Sequence, residues 1–355
     1  MPEIVTVYDA LDIIYVAQHF LLSPAARTLT LRQVFGMSEE LAYDRFRNLR
    51  WPETSGAPVC PACGGHEHWT LVENRKWKCQ RKECRIQFTV TSRTIFSSRK
   101  MAYRDLLAAI TITVNGVLGA AAGRMIREMG FAYKTAFVLA HKLREAMSID
   151  YDQQLEGVVE IDGAFIGNRR HRLPNRRVDG SEAFEAWKKR NPKVPTAIVA
   201  IRERKHDDPQ RRPKVRMFHV AKEGDGVPIA RRIVKRGTIM HADEGTQWEP
   251  LEMYFDTKRI DHSKSYSDGV ACTNGVESVF SRLRCGERGV YRHFTKAYAE
   301  RYGWEMAWRE ENSRVDNGSQ VDMLIRCALR SKISRMAGYW QRHLPANDPA
   351  SAMVA

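Results

Sequence analysis

The sequence shows neither the basic segment of a secretory leader in its first residues nor the cysteine pattern of a disulfide framework. Its first ten residues contain Glu3 and Asp9 but no lysine or arginine, whereas a leader begins with a basic segment, so we expect a cytoplasmic protein. The chain has only seven cysteines, an odd number that cannot all pair within one molecule. Of the seven cysteines, four lie between positions 60 and 84, and the others are scattered at 272, 285 and 327. This distribution is not that of a small domain held together by disulfides.

The sequence also lacks a well-formed membrane span. Residues 106–123 form a run of 18 residues without a charge, which reaches the length of a short transmembrane helix. Polar residues and glycines interrupt this run, namely Thr111, Thr113, Asn115, Gly116, Gly119 and Gly123. We therefore expect a buried pair of helices here and no membrane partner.

Acidic residues are outnumbered in this chain of 355 residues. Lysine and arginine total 57 against 42 aspartates and glutamates, which gives a net charge of +15 and a pI of about 9.6. A surplus of this size favours a polyanionic partner, either nucleic acid or an anionic membrane surface. The hydrophobic share of 43% and the charged share of 28% are those of a globular protein. The length suits about two to three domains.

Hydrophobic periodicity divides the chain into five segments. They are a helical segment over 1–58, a cysteine-rich unit over 59–92, paired helices over 100–150, a strand-rich domain over 155–315, and a C-terminal helix and tail over 316–355. Within them the patterns predict a helix from Ser38 to Arg50, strands over 157–165, 196–201, 215–220 and 238–241, helices after Asn274, and a last helix from Val321 to Arg335.

The four clustered cysteines have metal-ligand spacing. Cys60 and Cys63 form a C-x2-C pair, and Cys79 and Cys84 form a C-x4-C pair fifteen residues later. Each pair allows two thiolates to reach one tetrahedral ion, so the unit over 59–92 is predicted to be a zinc ribbon that holds a structural Zn²⁺.

The residues around the cysteines suggest how the ribbon is covered and what it binds. Trp69, Trp77 and Phe88 are candidates to shield the metal site, and His66 or His68 is an alternative ligand to one cysteine. The basic residues nearby favour a nucleic-acid contact, and they are Lys76, Lys78, Arg81, Lys82 and Arg85.

Two further segments carry residues suited to DNA. Residues 120–129, Gly130 and residues 133–147 have the layout of a helix-turn-helix, whose second helix would present Lys134 and Thr135 to bases or phosphates. An ordinary helical hairpin has the same pattern, and only the ribbon and the net charge favour DNA. A basic insertion over 168–193 includes Arg169 and Arg170. It is either a solvated loop or a phosphate-contacting one.

Acidic residues on apolar strands indicate a metal site. Glu160 and Asp162 lie within one such strand, and Asp243 lies at the end of another. Carboxylates resist burial unless they are paired or bind a cation, and hard oxygen ligands select Mg²⁺ or Mn²⁺. Glu277 is a candidate third ligand on a helix, because its apolar stripe leaves Glu277 and Asn274 on one face. Arg284 follows on a nearby face and would touch a phosphate. Two ions held by such acids would catalyse phosphodiester chemistry.

Taken together, these motifs resemble those of bacterial insertion-sequence transposases that couple a zinc ribbon to a DDE, integrase-type catalytic domain of the ribonuclease H fold. The resemblance covers about residues 31–314. The matching segments are Leu49-Arg-Trp-Pro52, Cys60-Pro-Ala-Cys-Gly64, Trp77-Lys-Cys79, Tyr133-Lys-Thr-Ala136, Glu160-Ile-Asp162, His262-Ser263 with Tyr266, Thr273-Asn-Gly-Val-Glu277, and Trp308-Arg309 with Asn312.

The resemblance implies an α/β fold with a mixed sheet and flanking helices, preceded by the ribbon and the helix-turn-helix region. It implies a first acid on the first strand, a second after the fourth strand and a third on a following helix, which correspond to Asp162, Asp243 and Glu277. The chain departs from the family pattern at Cys272, Phe280, Arg284 and the C-x4-C spacing. None of these departures removes a candidate metal ligand. Some relatives use an asparagine as third residue, which leaves an accessory role for Asn274 open.

We therefore expect a nucleoid-associated transposase that binds terminal inverted repeats in double-stranded DNA, cleaves a strand and joins it to target DNA. Such a reaction brings two transposon ends together, so at least a homodimer is expected on DNA. Two other functions fit the residues. One is a DNA-binding regulator or domesticated transposase with inert acids, and the other is a ribonuclease H-like nuclease that does not join strands.

Overall fold

The structure is a computed structural model, and it describes residues 19–71, 75–166, 196–204, 213–260, 273–292, 295–332 and 334–339. Several sequence-based predictions fall outside these ranges. They concern the basic insertion with Arg169 and Arg170, the motif residues His262, Ser263 and Tyr266, and Cys272.

The N-terminal part begins with two capped helices. Helix α1 spans Leu31–Gly36 and starts with a capping box between Thr30 and Gln33. Helix α2 spans Glu39–Arg50, and the backbone N–H of Leu41 donates to Ser38 Oγ at 3.2 Å. The predicted helix beginning at Ser38 is thus confirmed, because its hydroxyl satisfies an N–H that the first turn leaves without a partner.

The cysteine-rich unit is a three-stranded antiparallel sheet. Its strands are β1 (His68–Leu71), β2 (Lys76–Cys79) and β3 (Gln87–Phe88), in that order. Strand β3 is short, and only its residues Gln87 and Phe88 pair with β2. Such a small sheet buries little apolar surface by itself, so it needs support from a metal or a neighbouring core.

Three helices follow the ribbon, namely α3 (Tyr103–Asn115), α4 (Ala122–Met129) and α5 (Tyr133–Ala146). Helix α3 is buried from Leu106 to Val114, so the uncharged run is a core helix and not a membrane span. It differs from the expected pair of helices, because a turn follows Asn115 and the next helix begins only at Ala122. Within the described ranges, no helix is long and apolar enough to cross a membrane. Helix α4 ends at Gly130, whose φ of +68° is a left-handed conformation that glycine adopts readily.

The second half is built on a five-stranded mixed sheet. Its strands are β4 (Val158–Ile166), β5 (Thr196–Glu203), β6 (Val215–Val220), β7 (Ile239–Asp243) and β8 (Asp256–Ile260). The spatial order is β6-β5-β4-β7-β8, in which β4, β5 and β6 pair antiparallel whereas β7 runs parallel to both β4 and β8. This is the ribonuclease H-like mixed sheet that the resemblance implied.

Both faces of this sheet are covered. On one face, helix α6 (Gly226–Ile233) and a 3-10 helix over Thr246–Met253 pack on a core that includes Ile161, Val199 and Trp248. On the other, helices α7 (Asn274–Cys285) and α8 (Ala299–Glu311) pack on a core that includes Ala164 and Ala200. Because side chains alternate along a strand, Glu160 and Asp162 share the face of Ala164, toward α7.

The last helix joins the two halves of the molecule. Helix α9 spans Asn317–Arg330, four residues earlier at its start than predicted, and its side chains lie in the core formed by the N-terminal helices and the ribbon. Buried ion pairs add a second link between the halves. Arg144 of α5 donates to Glu305 of α8 at 2.7 Å, and Arg301 pairs with Glu145 at 2.7 Å. The α4–α5 pair is therefore fixed directly to a helix that covers the five-stranded sheet.

Candidate active site and zinc centre

The four ribbon cysteines converge on one point. The sulfur atoms of Cys60 and Cys84 are 3.6 Å apart, as are those of Cys63 and Cys79, and all four lie within 4.8 Å of one another. Four thiolates around one Zn²⁺ at about 2.3 Å are separated from each other by about 3.8 Å. The donor set and its spacing thus fit a structural zinc ion. The ligand alternatives His66 and His68 lie outside this cluster.

Electrostatics also favour a cation among these sulfurs. The backbone N–H of Gly65 lowers the pKa of Cys63 to about 7, whereas burial raises the pKa of Cys79 to about 12. Four thiolates so close together would repel one another strongly without a positive charge between them. The cluster is therefore compatible with full ionisation only when it binds a metal.

The aromatic cover of the ribbon differs from the prediction in one residue. Trp77 and Phe88 are buried and pack against each other, but their third partner is Trp51, which follows α2. Trp69 is instead 43% exposed, and the Arg85 guanidinium lies 4.9 Å from its ring centroid. Trp69 is therefore not part of the buried aromatic cluster.

The first candidate acid, Asp162, lies in the central strand β4 and is half-buried. Its Oδ1 accepts a hydrogen bond from the backbone N–H of Gly163 at 2.7 Å. Burial, followed by the charges of Asp243, Glu223 and Glu277, raises the pKa of Asp162 to about 7 against the opposing effect of that hydrogen bond. The structure therefore brings these four carboxyl groups close enough to act on one another.

The second acid, Asp243, is the last residue of β7, the parallel neighbour of β4. Its Oδ1 accepts from the backbone N–H of Gly245 at 3.0 Å, and this bond orients the carboxylate in the turn that follows the strand. Arg259 of the edge strand β8 donates to the carbonyl oxygens of Asp243 and Gly245 at 2.7 and 2.9 Å. The turn after β7 is therefore fixed by the Asp243 side chain within it and by Arg259 from the neighbouring strand.

The third acid, Glu277, lies in the first turn of α7. Val276, Val279 and Phe280 are fully buried against the sheet face that carries Asp162, so the helix presents Glu277 beside that face. The Thr273 hydroxyl donates to Glu277 Oε1 at 3.1 Å. Asn274 begins the same helix one turn earlier and is exposed.

A fourth carboxylate, Glu223, was missed by the sequence analysis. It lies in a short 3-10 turn after β6, where it accepts from Gln247 Nε2 at 3.3 Å, and burial followed by the charge of Asp243 raises its pKa. Gly163 makes room for it, because a Cβ at that position would lie 2.5 Å from Glu223 Cγ. Its sequence, Lys-Glu-Gly-Asp, looks like a solvated turn, and only the glycine after Asp162 hinted at a close approach.

The carboxylates are more widely spaced than the cysteine sulfurs. Within the described part of the chain, the cysteine cluster is the only set of three or more potential ligands whose atoms all lie within 4.8 Å of one another. Like charges keep carboxylates apart unless a cation lies between them. The donors themselves fit Mg²⁺ or Mn²⁺, since all are hard carboxylate oxygens. Burial, followed by the neighbouring acids, raises the pKa of Asp162, so a bound cation would stabilise its charged form.

The described candidates for DNA contact are exposed. Lys134 and Thr135 lie in the first turn of α5 beside Tyr133, whose side chain is 58% exposed. Arg284 is exposed at the end of α7, where its guanidinium lies 5.9 Å from the Phe280 ring centroid. Exposure leaves these groups available to phosphates.

Comparison with known families gives two matches. Residues 37–87 match the transposase zinc-ribbon domain, and residues 154–311 match the ISXO2-like transposase domain. The first match includes all four cysteines, and the second includes Asp162, Asp243 and Glu277. No curated protein sequence matches the chain.

Proposed function

Because the chain belongs to the insertion-sequence transposases that join a zinc ribbon to an ISXO2-like transposase domain, we propose that it cleaves DNA at the ends of its element and joins the freed 3′ ends to target DNA. Asp162 and Asp243 would hold two divalent ions, and Glu277 would complete the site. When bound, Mg²⁺ or Mn²⁺ supplies Lewis acidity that activates the attacking oxygen and stabilises the leaving oxygen of a phosphodiester.

The observation that carries this proposal is the convergence of acids that are far apart in the chain. Asp162, Asp243 and Glu277 come from a central strand, its parallel neighbour and a covering helix, yet each of the latter two affects the pKa of the first. A stable fold without a metal has little reason to gather half-buried carboxylates, because their mutual repulsion destabilises it.

We propose that the zinc ribbon and the α4–α5 pair recognise the DNA ends of the element. The chain's net charge of +15, the exposed first turn of α5 with Lys134 and Thr135, and the basic residues of the ribbon beside Trp69 support this assignment. Arg284 would bind a phosphate near the acids, and Arg169 and Arg170 would do so from the insertion. Binding of this kind should weaken steeply as salt rises.

Joining of transposon ends to a target also requires two ends in one complex. We therefore infer that at least two copies of the chain act together on DNA. The direct connection between α5 and α8 through Arg144 and Glu305 would keep the DNA-binding helices at a fixed distance from the acids of the same copy. A transposon end bound by these helices would then lie at a fixed distance from the catalytic acids.

The proposal is tested with Glu277→Gln on a DNA fragment that carries the element's terminal repeat. Cleavage should fall by at least about 10²-fold, the scale observed when one electrostatic group is removed from a preorganised site. Binding of the repeat, measured by fluorescence anisotropy, should stay within twofold. The control is Glu249→Gln, an exposed acid outside the site, which should cleave normally. Unchanged cleavage by Glu277→Gln would refute the assignment.

A second assay separates a transposase from a nuclease. Wild-type protein is given a pre-cut end with a free 3′-hydroxyl, a supercoiled target plasmid and Mg²⁺. A transposase produces joined molecules, whereas a ribonuclease H-like nuclease only nicks DNA. An inert, regulatory relative would bind the repeat and produce neither product.

A further inference from the structure

A second glutamate, two residues before Asp162, is buried in the same sheet face. Glu160 lies on β4 with only 2% of its surface exposed. Its Oε2 accepts a hydrogen bond from the backbone N–H of Val276 at 2.9 Å, and the N–H of Gly275 also donates to this carboxylate. Both donors belong to the first turn of α7, the helix that carries Glu277.

The Glu160 carboxylate provides hydrogen-bond acceptors for backbone N–H groups at the N-terminus of α7, where the residue before the helix forms no side-chain cap. Thr273 precedes the helix but forms no capping hydrogen bond with its backbone, and the first N–H groups of a helix otherwise lack partners. A carboxylate placed here binds those N–H groups and interacts favourably with the positive end of the helix dipole. In this protein the carboxylate comes from the central strand of the sheet rather than from the helix itself.

Gly275 makes the close approach possible. A Cβ at this position would lie 2.5 Å from Glu160 Oε2 and 2.2 Å from Arg202 Nη1, well inside contact distance. The glycine therefore allows the start of α7 to sit directly on the carboxylate. Any larger residue would move the helix, the carboxylate or Arg202.

Arginines compensate for the buried charge of Glu160. Arg202 is its directly opposed residue on β5, and Arg204 Nε lies 3.5 Å from Glu160 Oε1. Arg202 also lies 3.5 Å from Glu310 of α8, which in turn pairs with Arg282 of α7 at 2.6 Å. These ion pairs connect the last turn of α7, through Arg282, to α8 and to the sheet.

We propose that Glu160 is a positioning residue that fixes the first turn of α7 on the sheet and thereby sets the place of Glu277 relative to Asp162. The inference rests on the proposed function, since it concerns the same metal site. Glu160 and Asp162 are two residues apart on one strand, and Val276 directly precedes Glu277, so the hydrogen bond joins the backbones that carry two of the three acids.

The chain offers a matched control for a merely structural role. Glu203 is also a buried strand glutamate, 3% exposed, and it accepts two backbone N–H groups, those of Glu156 and Lys214, each at 3.1 Å. It lies opposite Val159 in the strand register, so its side chain is on the α6 face of the sheet, away from α7. Its loss should reduce stability without moving Glu277.

The test compares Glu160→Ala, Glu160→Gln and Glu203→Ala in the full-length protein. For Glu160→Ala we expect cleavage of the terminal repeat to fall by about 10–100-fold and Mn²⁺ affinity, measured by isothermal titration, to fall by about tenfold, the scale of lost supporting contacts at metal sites. Affinity for the repeat should stay within twofold. Glu160→Gln, which keeps one acceptor oxygen and the volume, should recover part of both losses. Glu203→Ala should lower the Tm but leave Mn²⁺ affinity and cleavage by the folded protein unchanged.

Two results would overturn the positioning role while leaving the proposed function intact. One is wild-type cleavage and Mn²⁺ affinity in both Glu160 variants. The other is an equal loss in Glu203→Ala, which would show that general destabilisation is responsible. If Glu160→Ala does not fold, Glu160→Gln decides, because it preserves the shape of the core. Failure of the proposed function itself would appear as absent metal-dependent cleavage in the wild type.

Discussion

Replacing Cys79 with serine is expected to release the zinc ion and to abolish specific binding of the terminal repeat. Zinc binding in ribbon-sized units stabilises the folded state by about 10–16 kcal/mol, which equals or exceeds the whole stability of a typical domain. Cys79 is fully buried and belongs to the core shared by α2, α3, α5 and α9, so loss of the metal should loosen the helix-turn-helix region as well. Zinc content by mass spectrometry and repeat binding by anisotropy measure both effects.

The control for this experiment is Cys285→Ser, since Cys285 is an exposed cysteine outside the ribbon. It should keep one zinc ion per chain and bind the repeat as the wild type does. A Cys79→Ser protein that still contained stoichiometric zinc would show that the ligand set differs from the four cysteines. Zinc loss with unchanged repeat affinity would instead remove the ribbon from DNA recognition.

Replacing Asp162 with asparagine is expected to lower strand cleavage by about 10⁴-fold, because the residue proposed to contact both metal ions would lose its charge. Asparagine has nearly the same volume and can still accept the hydrogen bond from the Gly163 N–H. Repeat binding should therefore be unaffected. Cleavage in single-turnover assays with saturating protein separates the chemical step from binding.

The same substitution should stabilise the protein at high pH when Mg²⁺ and Mn²⁺ are absent and the ribbon keeps its zinc. The pKa of Asp162 is raised to about 7 in the folded state, so folding favours its protonated form, and stability falls as pH rises from about 4 to 7. An asparagine at this position does not ionise, so the variant should not lose stability in this way as the pH rises. At pH 8 in buffer without Mg²⁺ or Mn²⁺, with the ribbon zinc retained, the variant should be more stable by about 2 kcal/mol after allowance for solvent screening, whereas at pH 4 the two proteins should unfold alike. Equal stability at both pH values would contradict the burial of Asp162 beside the other acids.

Much of the fold followed from local patterns in the sequence. The apolar runs predicted strands β4 to β7 within about two residues, and Ser38 predicted the start of α2 because capping is a local interaction. Strand β8 was missed because Asp256, Lys258 and Arg259 make it look polar. An edge strand pairs on one side only and tolerates such charges.

The candidate site was predictable only in part. Asp162, Asp243 and Glu277 stand out because they interrupt or follow apolar segments, and the resemblance to transposases supplied their grouping. Glu223 was not predicted, and Glu160 was noted only as a strand acid next to Asp162, because the roles of both depend on what lies opposite them in space. Gly163 opposite Glu223 and Gly275 opposite Glu160 show that long-range packing, which no local pattern encodes, completes the surroundings of the triad. Trp51 replaced Trp69 in the ribbon core for the same reason.

The most direct test of the central claim is the anomalous diffraction of crystals soaked in Mn²⁺ at a concentration that supports cleavage. The account predicts manganese peaks on the sheet face where β4, β7 and α7 meet. Each ion should lie within about 2.1 Å of carboxylate oxygens from Asp162, Asp243 and Glu277. The absence of a peak there, or peaks coordinated without Asp162 and Asp243, would contradict it.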